Sequence, residues 1–128
     1  LTPYGLHPSD PLGGKYTLTV TEATYINTVI DAYNSTIAAE AAEHGWGLAD
    51  VNAIFNQIAS VSGPSGSGYN IGGGIRVKTD FISGGIFSYD GVHPSTLGYA
   101  ILANEIIKAA NENYGSSVPL LNLMNYLQ

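Results

Sequence analysis

An acid and an imidazole, Asp90 and His93, stand three residues apart in the run Ser88-Tyr89-Asp90-Gly91-Val92-His93-Pro94-Ser95-Thr96-Leu97-Gly98-Tyr99. A carboxylate within reach of an imidazole Nδ1–H fixes the tautomer, leaves Nε2 free to take a proton and stabilises the imidazolium that forms. The local sequence can supply that reach. Asp90-Gly91 is a turn signal, because glycine tolerates positive φ and an Asp side chain accepts hydrogen bonds from backbone two residues on. Pro94 pushes His93 out of the helical region, and Ser95 suits the N-cap or first turn of the apolar helix that follows. The spacing predicts a loop tip with the His93 ring partly exposed, giving the base and the acid of a nucleophile-base-acid triad. Ser88 is too close in sequence to complete it, since its Oγ competes for the same small loop, so the nucleophile is expected elsewhere. The competing structural reading is an ordinary Asp-Gly turn followed by an ordinary His-Pro helix lead-in.

That loop needs a scaffold, and the rest of the chain reads as one. Residues 1–15 hold Pro3, Pro8, Pro11 and the Gly13-Gly14 pair, which predict a loop or linker; Tyr4 and His7 lie in it, His7 as a solvated histidine. Tyr16 to Val20 is β-prone, but Thr19-x-x-Glu22 fits a capping box that starts a helix. From there Ile26, Val29, Ile30, Tyr33, Ile37 and Ala41 recur at helical spacing to about His44, opposite a polar face of Asn27, Asp31, Asn34, Ser35 and Glu40, with Gly45 as the stop. Trp46 to Val51, short and apolar after a helix, predicts a buried parallel strand. Asp50 near its end first suits a cap for a helix through Ala53, Ile54, Phe55, Ile58 and Ala59.

Ser60 to Gly74 is Ser/Gly-rich and predicts a flexible loop. Its Gly63-Pro64-Ser65-Gly66-Ser67 superficially matches a nucleophile elbow but has Ser67 where the last glycine belongs. Tyr69 to Ile71 and Ile75 to Lys78 predict short strands or a hairpin around Gly72 to Gly74. Gly84-Gly85 allows a turn before the Asp90/His93 loop. Leu97 to Tyr114 is a second helix with a broad apolar face, stopped by Gly115. The uncharged tail through Pro119, Leu120, Leu121, Leu123, Met124 and Tyr126 is expected to pack back onto the domain or onto an absent segment.

Composition narrows the function classes. The 128 residues suffice for one domain with a moderate core, and the charged share of 11% lies well under the usual quarter or so. Ten acidic against four basic residues, without a Lys/Arg cluster, argue against nucleic acid or an anionic membrane as partner. There is no cysteine, hence no disulfide framework, thiolate nucleophile or zinc-thiolate site. No apolar run approaches the length of a membrane span, and the start at Leu1 reads as a processed or truncated piece of something longer.

Asp-x-x-His-Pro running straight into a helix with Gly98-Tyr99 resembles the last conserved block of the SGNH hydrolases, also called the GDSL esterase/lipase family. The longer run Gly84-Gly85-Ile86-Phe87-Ser88-Tyr89-Asp90-Gly91-Val92-His93-Pro94 is similar to the version in large bacterial members. The similarity extends from Pro11-Leu12 and Leu18 to Glu22, through Tyr33-Asn34 and Asp50-Val51-Asn52, to Asn104 and Asn113-Tyr114-Gly115. It covers only the C-terminal part of such an enzyme. The Gly-Asp-Ser block with the nucleophile, and the Gly and Asn of the oxyanion hole, have no counterpart among these residues.

The resemblance implies an α/β chain: residues 1–128 would be the C-terminal portion of one three-layer α/β/α, flavodoxin-like domain with parallel strands. It implies His93 as general base and Asp90 as the acid that orients it, acting without metal or cofactor. The parent would be a serine hydrolase of carboxylic esters, whether lipid, small acyl ester or acetylated sugar. The missing N-terminal part would be this chain's partner, without which it is expected to be inactive or nearly so. The acidic, low-lysine composition and the look of the larger members point to an extracytoplasmic, secreted or periplasmic, parent.

Two rival readings stand beside it. One is a non-catalytic module that binds a ligand or partner through the Gly-rich loop and exposed Tyr69, Phe87 and Tyr89. The other is a metal-dependent hydrolase using Asp90, His93 and Asp50, although Asp-x-x-His lacks a recognised metal context.

Overall fold

A computed structural model describes residues 5–127. Pro3 and Tyr4 of the expected loop lie outside the described residues. The described chain divides into two compact units, one up to Glu40 and one from Ala41 onward.

In the first unit, the expected loop contains a minimal antiparallel hairpin, β1 (Leu6–His7) with β2 (Asp10–Pro11), followed by a 3-10 turn at Gly14–Tyr16. Helix α1 (Val20–His44) then starts where the capping box places it. The Glu22 carboxylate accepts from the Thr19 amide and hydroxyl, both at 2.8 Å, and Thr19 Oγ1 accepts from the Glu22 amide at 3.2 Å. Those two Thr19 donors hold the Glu22 carboxyl below its usual range. Ile26, Ile30, Tyr33 and Ile37 are exposed, so the cap and the backbone ladder define this part of the helix rather than burial of its stripe.

The second unit takes over at Ala41, and Gly45 ends α1 as expected, at positive φ. The segment after it does not become the predicted buried parallel strand. Trp46, Leu48 and Val51 are exposed, Trp46 stacks on His44 with ring centroids 4.6 Å apart, and the Gly47 amide donates to Tyr114 Oη at 2.9 Å. A strand exists only with a neighbour to share its ladder, and none of the described segments pairs with this one. Asp50 caps α2 (Val51–Ser60) as predicted, its Oδ1 accepting from the Ala53 amide at 2.8 Å.

The Gly-rich stretch after α2 is tied down, contrary to a flexible loop. Gly63 donates to Asp80 Oδ1 at 2.8 Å, Lys78 Nζ donates to the Gly63 carbonyl at 2.7 Å, and the Thr79 amide donates to Ser62 Oγ at 2.8 Å. Gly63 to Ser67 follows a helix, not a strand, so it has none of the context of a nucleophile elbow. The predicted hairpin forms from β3 (Tyr69–Gly72) and β4 (Ile75–Val77), antiparallel, with Tyr69 opposite Val77.

Helix α3 (Thr96–Tyr114) closes the unit, with Ser95 as N-cap and Gly115 in the left-handed conformation as its stop. Its buried Leu97 and Ile101 meet Ile54 and Ile58 of α2, Val77 of β4 and Ile86 in one core, with Phe55, Tyr69, Ile71, Phe87, Leu123 and Tyr126 packed against it. The tail therefore packs back onto its own unit, as expected, through a 3-10 turn at Leu123–Tyr126. The chain is α/β in content. Both paired-strand sheets among the described residues are antiparallel, so the parallel strands expected from the sequence are not among them.

Candidate active site

Ile86 carries the Asp90/His93 loop. It is 0% exposed, which contributes roughly 1.5–3 kcal/mol of apolar burial just before the loop leaves the core. Its carbonyl accepts from the Ser95 amide at 2.8 Å, and the Ser88 amide donates to the His93 carbonyl at 2.8 Å. These two rungs fold residues 86 to 95 into a narrow loop. Gly91, with φ +71, completes the turn and donates to the Ser88 carbonyl at 3.0 Å. At the far end Ser95 Oγ donates to the Gly85 carbonyl at 2.6 Å and accepts from the Gly98 amide at 3.1 Å, joining the loop base to α3.

Asp90 uses its two oxygens differently. Oδ1 accepts from Ser88 Oγ at 2.7 Å and from the Val92 and His93 amides, both at 2.9 Å. Oδ2 lies 2.7 Å from His93 Nδ1. The carboxylate can only accept, so Nδ1 carries the proton and Nε2 presents its lone pair. The His93 side chain is 70% exposed and Asp90 50%, and no described residue bonds to Nε2. The imidazole is oriented from behind and open in front, which is what a general base requires.

The Ser88 hydroxyl, followed by the Val92 amide and the His93 ring and amide, holds the Asp90 carboxyl far below its ordinary value of 3.8. A depressed native value means that Asp90 contributes stability above its unfolded value, and that this is lost as pH falls toward the native value. The Asp90 carboxyl carbon shift in NMR is therefore expected to stay flat as pH is lowered from about 7 to about 3, where an unperturbed aspartate titrates. Ser88→Ala removes the leading donor and should bring an inflection up into that range; a wild-type midpoint near the ordinary value would contradict the geometry.

The structure brings together the two site residues that the sequence singled out, and separates them from the others. Ser88 is committed to Asp90 and Ser95 to Gly85 and Gly98, so among the described residues no serine hydroxyl bonds to His93. Asp50 caps α2, and His7 bonds its neighbour Ser9. No three His, Asp or Glu side chains among the described residues gather as ligands for a cation. Of the aromatics expected to be exposed, Tyr89 is, at 84%, whereas Tyr69 and Phe87 pack on the core and Phe87 stacks on Phe55.

A groove of about 540 Å³ opens beside the loop, bordered by Ser88, Tyr89 and Pro94 and lined by Val77, Ile82, Phe87, Leu97, Tyr126 and Leu127 among others. The sequence did not indicate this groove, since its walls come from four separated stretches. Ile82 on its rim has φ +68, a conformation that costs a β-branched residue on the order of 1–3 kcal/mol. The turn enforcing it has the Gly84 amide on the Asp80 carbonyl and the Ser83 amide on the Phe81 carbonyl, both at 2.8 Å.

The family model for GDSL-like lipases/acylhydrolases matches residues 2–106. The chain belongs to this family. No curated protein and no solved structure matches it. Family membership agrees with the resemblance carried by the Asp90-x-x-His93-Pro94 block and makes the chain part of an acyl hydrolase family. The matched region of this GDSL-like chain ends inside α3, so the second half of that helix and the tail lie beyond it. No helix among the described residues is long and apolar enough to cross a membrane.

Proposed function

We propose that this chain supplies the base-and-acid half of a serine ester hydrolase, as the C-terminal portion of a three-layer SGNH domain whose parallel strands and nucleophile lie in a segment outside these 128 residues. The observation that carries the reading is the 2.7 Å pairing of Asp90 Oδ2 with His93 Nδ1, with Nε2 left open. The incoming serine Oγ attacks the ester carbonyl carbon while His93 Nε2 takes its proton. When the tetrahedral intermediate collapses, the C–O bond to the alcohol breaks and His93 returns the proton to the leaving oxygen. Water repeats the two steps on the acyl-enzyme, releasing the acid and restoring serine. Asp90 keeps the ring in the productive tautomer throughout and stabilises the imidazolium.

A lipid, a small acyl ester or an acetylated sugar fits this chemistry. The acidic, lysine-poor composition supports an extracytoplasmic site of action. The test is hydrolysis of p-nitrophenyl acetate by two samples, the 128 residues alone and the parent polypeptide that carries the nucleophile. Turnover only in the parent, abolished by a serine-directed phosphonate, is expected. A parent that turns over the ester at full rate after phosphonate treatment defeats the serine mechanism.

A further inference from the structure

Helix α3 carries two asparagines seven residues apart that treat the tail as if it were a strand. Asn104 is 7% exposed; its Oδ1 accepts from the Leu121 amide at 2.7 Å and its Nδ2 donates to the Leu121 carbonyl at 3.1 Å. Asn111 repeats the arrangement at Val118, accepting from the amide and donating to the carbonyl, both at 2.9 Å, and Ser116 Oγ adds a bond to its Oδ1 at 2.7 Å. A side-chain amide that offers donor and acceptor to one residue's backbone mimics a rung of a sheet. Leaving the buried Asn104 amide unpaired is costly, so Asn104, with the more exposed Asn111 repeating its pattern, fixes the path of the tail.

That path ends at the groove. Tyr126 packs on the core, and Tyr126 and Leu127 line the groove together with Ser88, Tyr89 and Pro94, which flank Asp90 and His93 in the chain. The lining is mainly apolar, and its charged member, Arg76, donates to the Gly68 carbonyl at 2.9 Å. The volume falls within the range of about 300–1,000 Å³ usual for small-molecule sites. Residues 116–127 all lie outside the matched region 2–106. The family match therefore includes the Asp90/His93 loop but not Tyr126 and Leu127.

We propose that the tail is this protein's acyl-chain selector: Tyr126 and Leu127 form the surface along which the apolar acyl chain of the ester lies when its carbonyl is at His93. Asn104 and Asn111 are positioning residues that hold this surface in place. The proposal rests on the ester-hydrolase reading above and deepens it to esters of apolar, medium-length acids.

The experiment compares kcat/KM for p-nitrophenyl octanoate and acetate in the parent polypeptide, as wild type, Leu127→Trp and Asn111→Ala, and titrates decanoate into the 128-residue chain with amide NMR as readout. Leu127 is partly exposed at the groove rim, so its replacement spares the core. Leu127→Trp should lower the octanoate-to-acetate ratio roughly tenfold by occupying the groove. Asn111→Ala should raise KM for octanoate more than for acetate without a matching fall in kcat, which general destabilisation would not do. Decanoate should shift the Tyr126 and Leu127 amides.

Ratios within about twofold of wild type in both variants overturn the selector. So does a decanoate titration that leaves those amides unmoved, including the case in which a segment of the parent fills the groove instead. A parent indifferent to His93→Ala overturns the triad reading separately, and the decanoate shifts then decide the selector by themselves.

Discussion

His93→Ala in the parent polypeptide is expected to lower kcat for p-nitrophenyl acetate by roughly 10⁴-fold or more, with little change in KM. The magnitude follows from what the ring does. With Nδ1 bound to Asp90 Oδ2, Nε2 is the atom that, in the proposed mechanism, removes the nucleophile's proton and returns it to the leaving oxygen, and the members of such a triad act as a unit. Asp90→Asn is the more discriminating partner. An amide in place of Oδ2 can present N–H toward Nδ1, which favours the wrong tautomer and is expected to cost a comparable factor. Asn can still accept through its remaining oxygen from the Ser88 hydroxyl and the Val92 and His93 amides, so the turn should survive. Unchanged circular dichroism with lost turnover supports the assignment; a variant retaining more than about a tenth of wild-type kcat excludes Asp90 from the orienting role.

Gly98→Ala is expected to destabilise the fold by about 2 kcal/mol, although the helix-propensity scale points the other way. Alanine in a helix interior is worth about 1 kcal/mol over glycine. A Cβ at this position, however, would sit 2.3 Å from the Ile86 carbonyl oxygen and 2.8 Å from Pro94 Cβ. Backbone atoms that already bond to Ser95 cannot yield as a flexible side chain would. Overpacking of this kind costs on the order of 1–3 kcal/mol, and loss of the Ile86–Ser95 rung adds about 1 more. Crowding should therefore outweigh propensity. Thermal unfolding of the 128-residue chain measures the net effect, and an unchanged or raised midpoint means that α3 does not seat on Ile86 as described. The same displacement should loosen the Asp90/His93 loop, so turnover in the parent should fall with stability.

Features that depend on residues close in sequence were legible in it. The Thr19/Glu22 box, the Asp50 and Ser95 caps and the Asp90/His93 pairing each involve partners within four residues, the Gly115 stop depends on that residue's own backbone conformation, and each formed where composition and spacing placed it. The failures share the opposite property. Trp46 to Val51 has the composition of a strand, but a parallel strand is defined by a neighbour that can be distant in the chain, and no described segment supplies one. The Ser60 to Gly74 stretch reads as flexible because small residues bury little, yet Asp80, Lys78 and Thr79 tie it down from as far as seventeen residues away. Asn104 enters the sequence reading only as part of the family similarity, and Asn111 carries no reading there. A signal did exist: a polar residue on an apolar helix face needs a partner, and the uncharged tail offered backbone groups to provide it.

One carboxylate closes the turn with Oδ1 and sets the imidazole with Oδ2, so the loop's mechanics and the base's chemistry share a single equilibrium. Whenever the turn opens, the Val92 amide is released to solvent and His93 loses its orienting acid at the same moment. Deuterium uptake at the Val92 amide thus becomes a clock for how often the imidazole is out of position, and so, if His93 is the base proposed above, for how often it is out of service. Heat or denaturant should then lower the catalytic rate in step with that uptake, well before the core around Ile58 and Ile86 lets go.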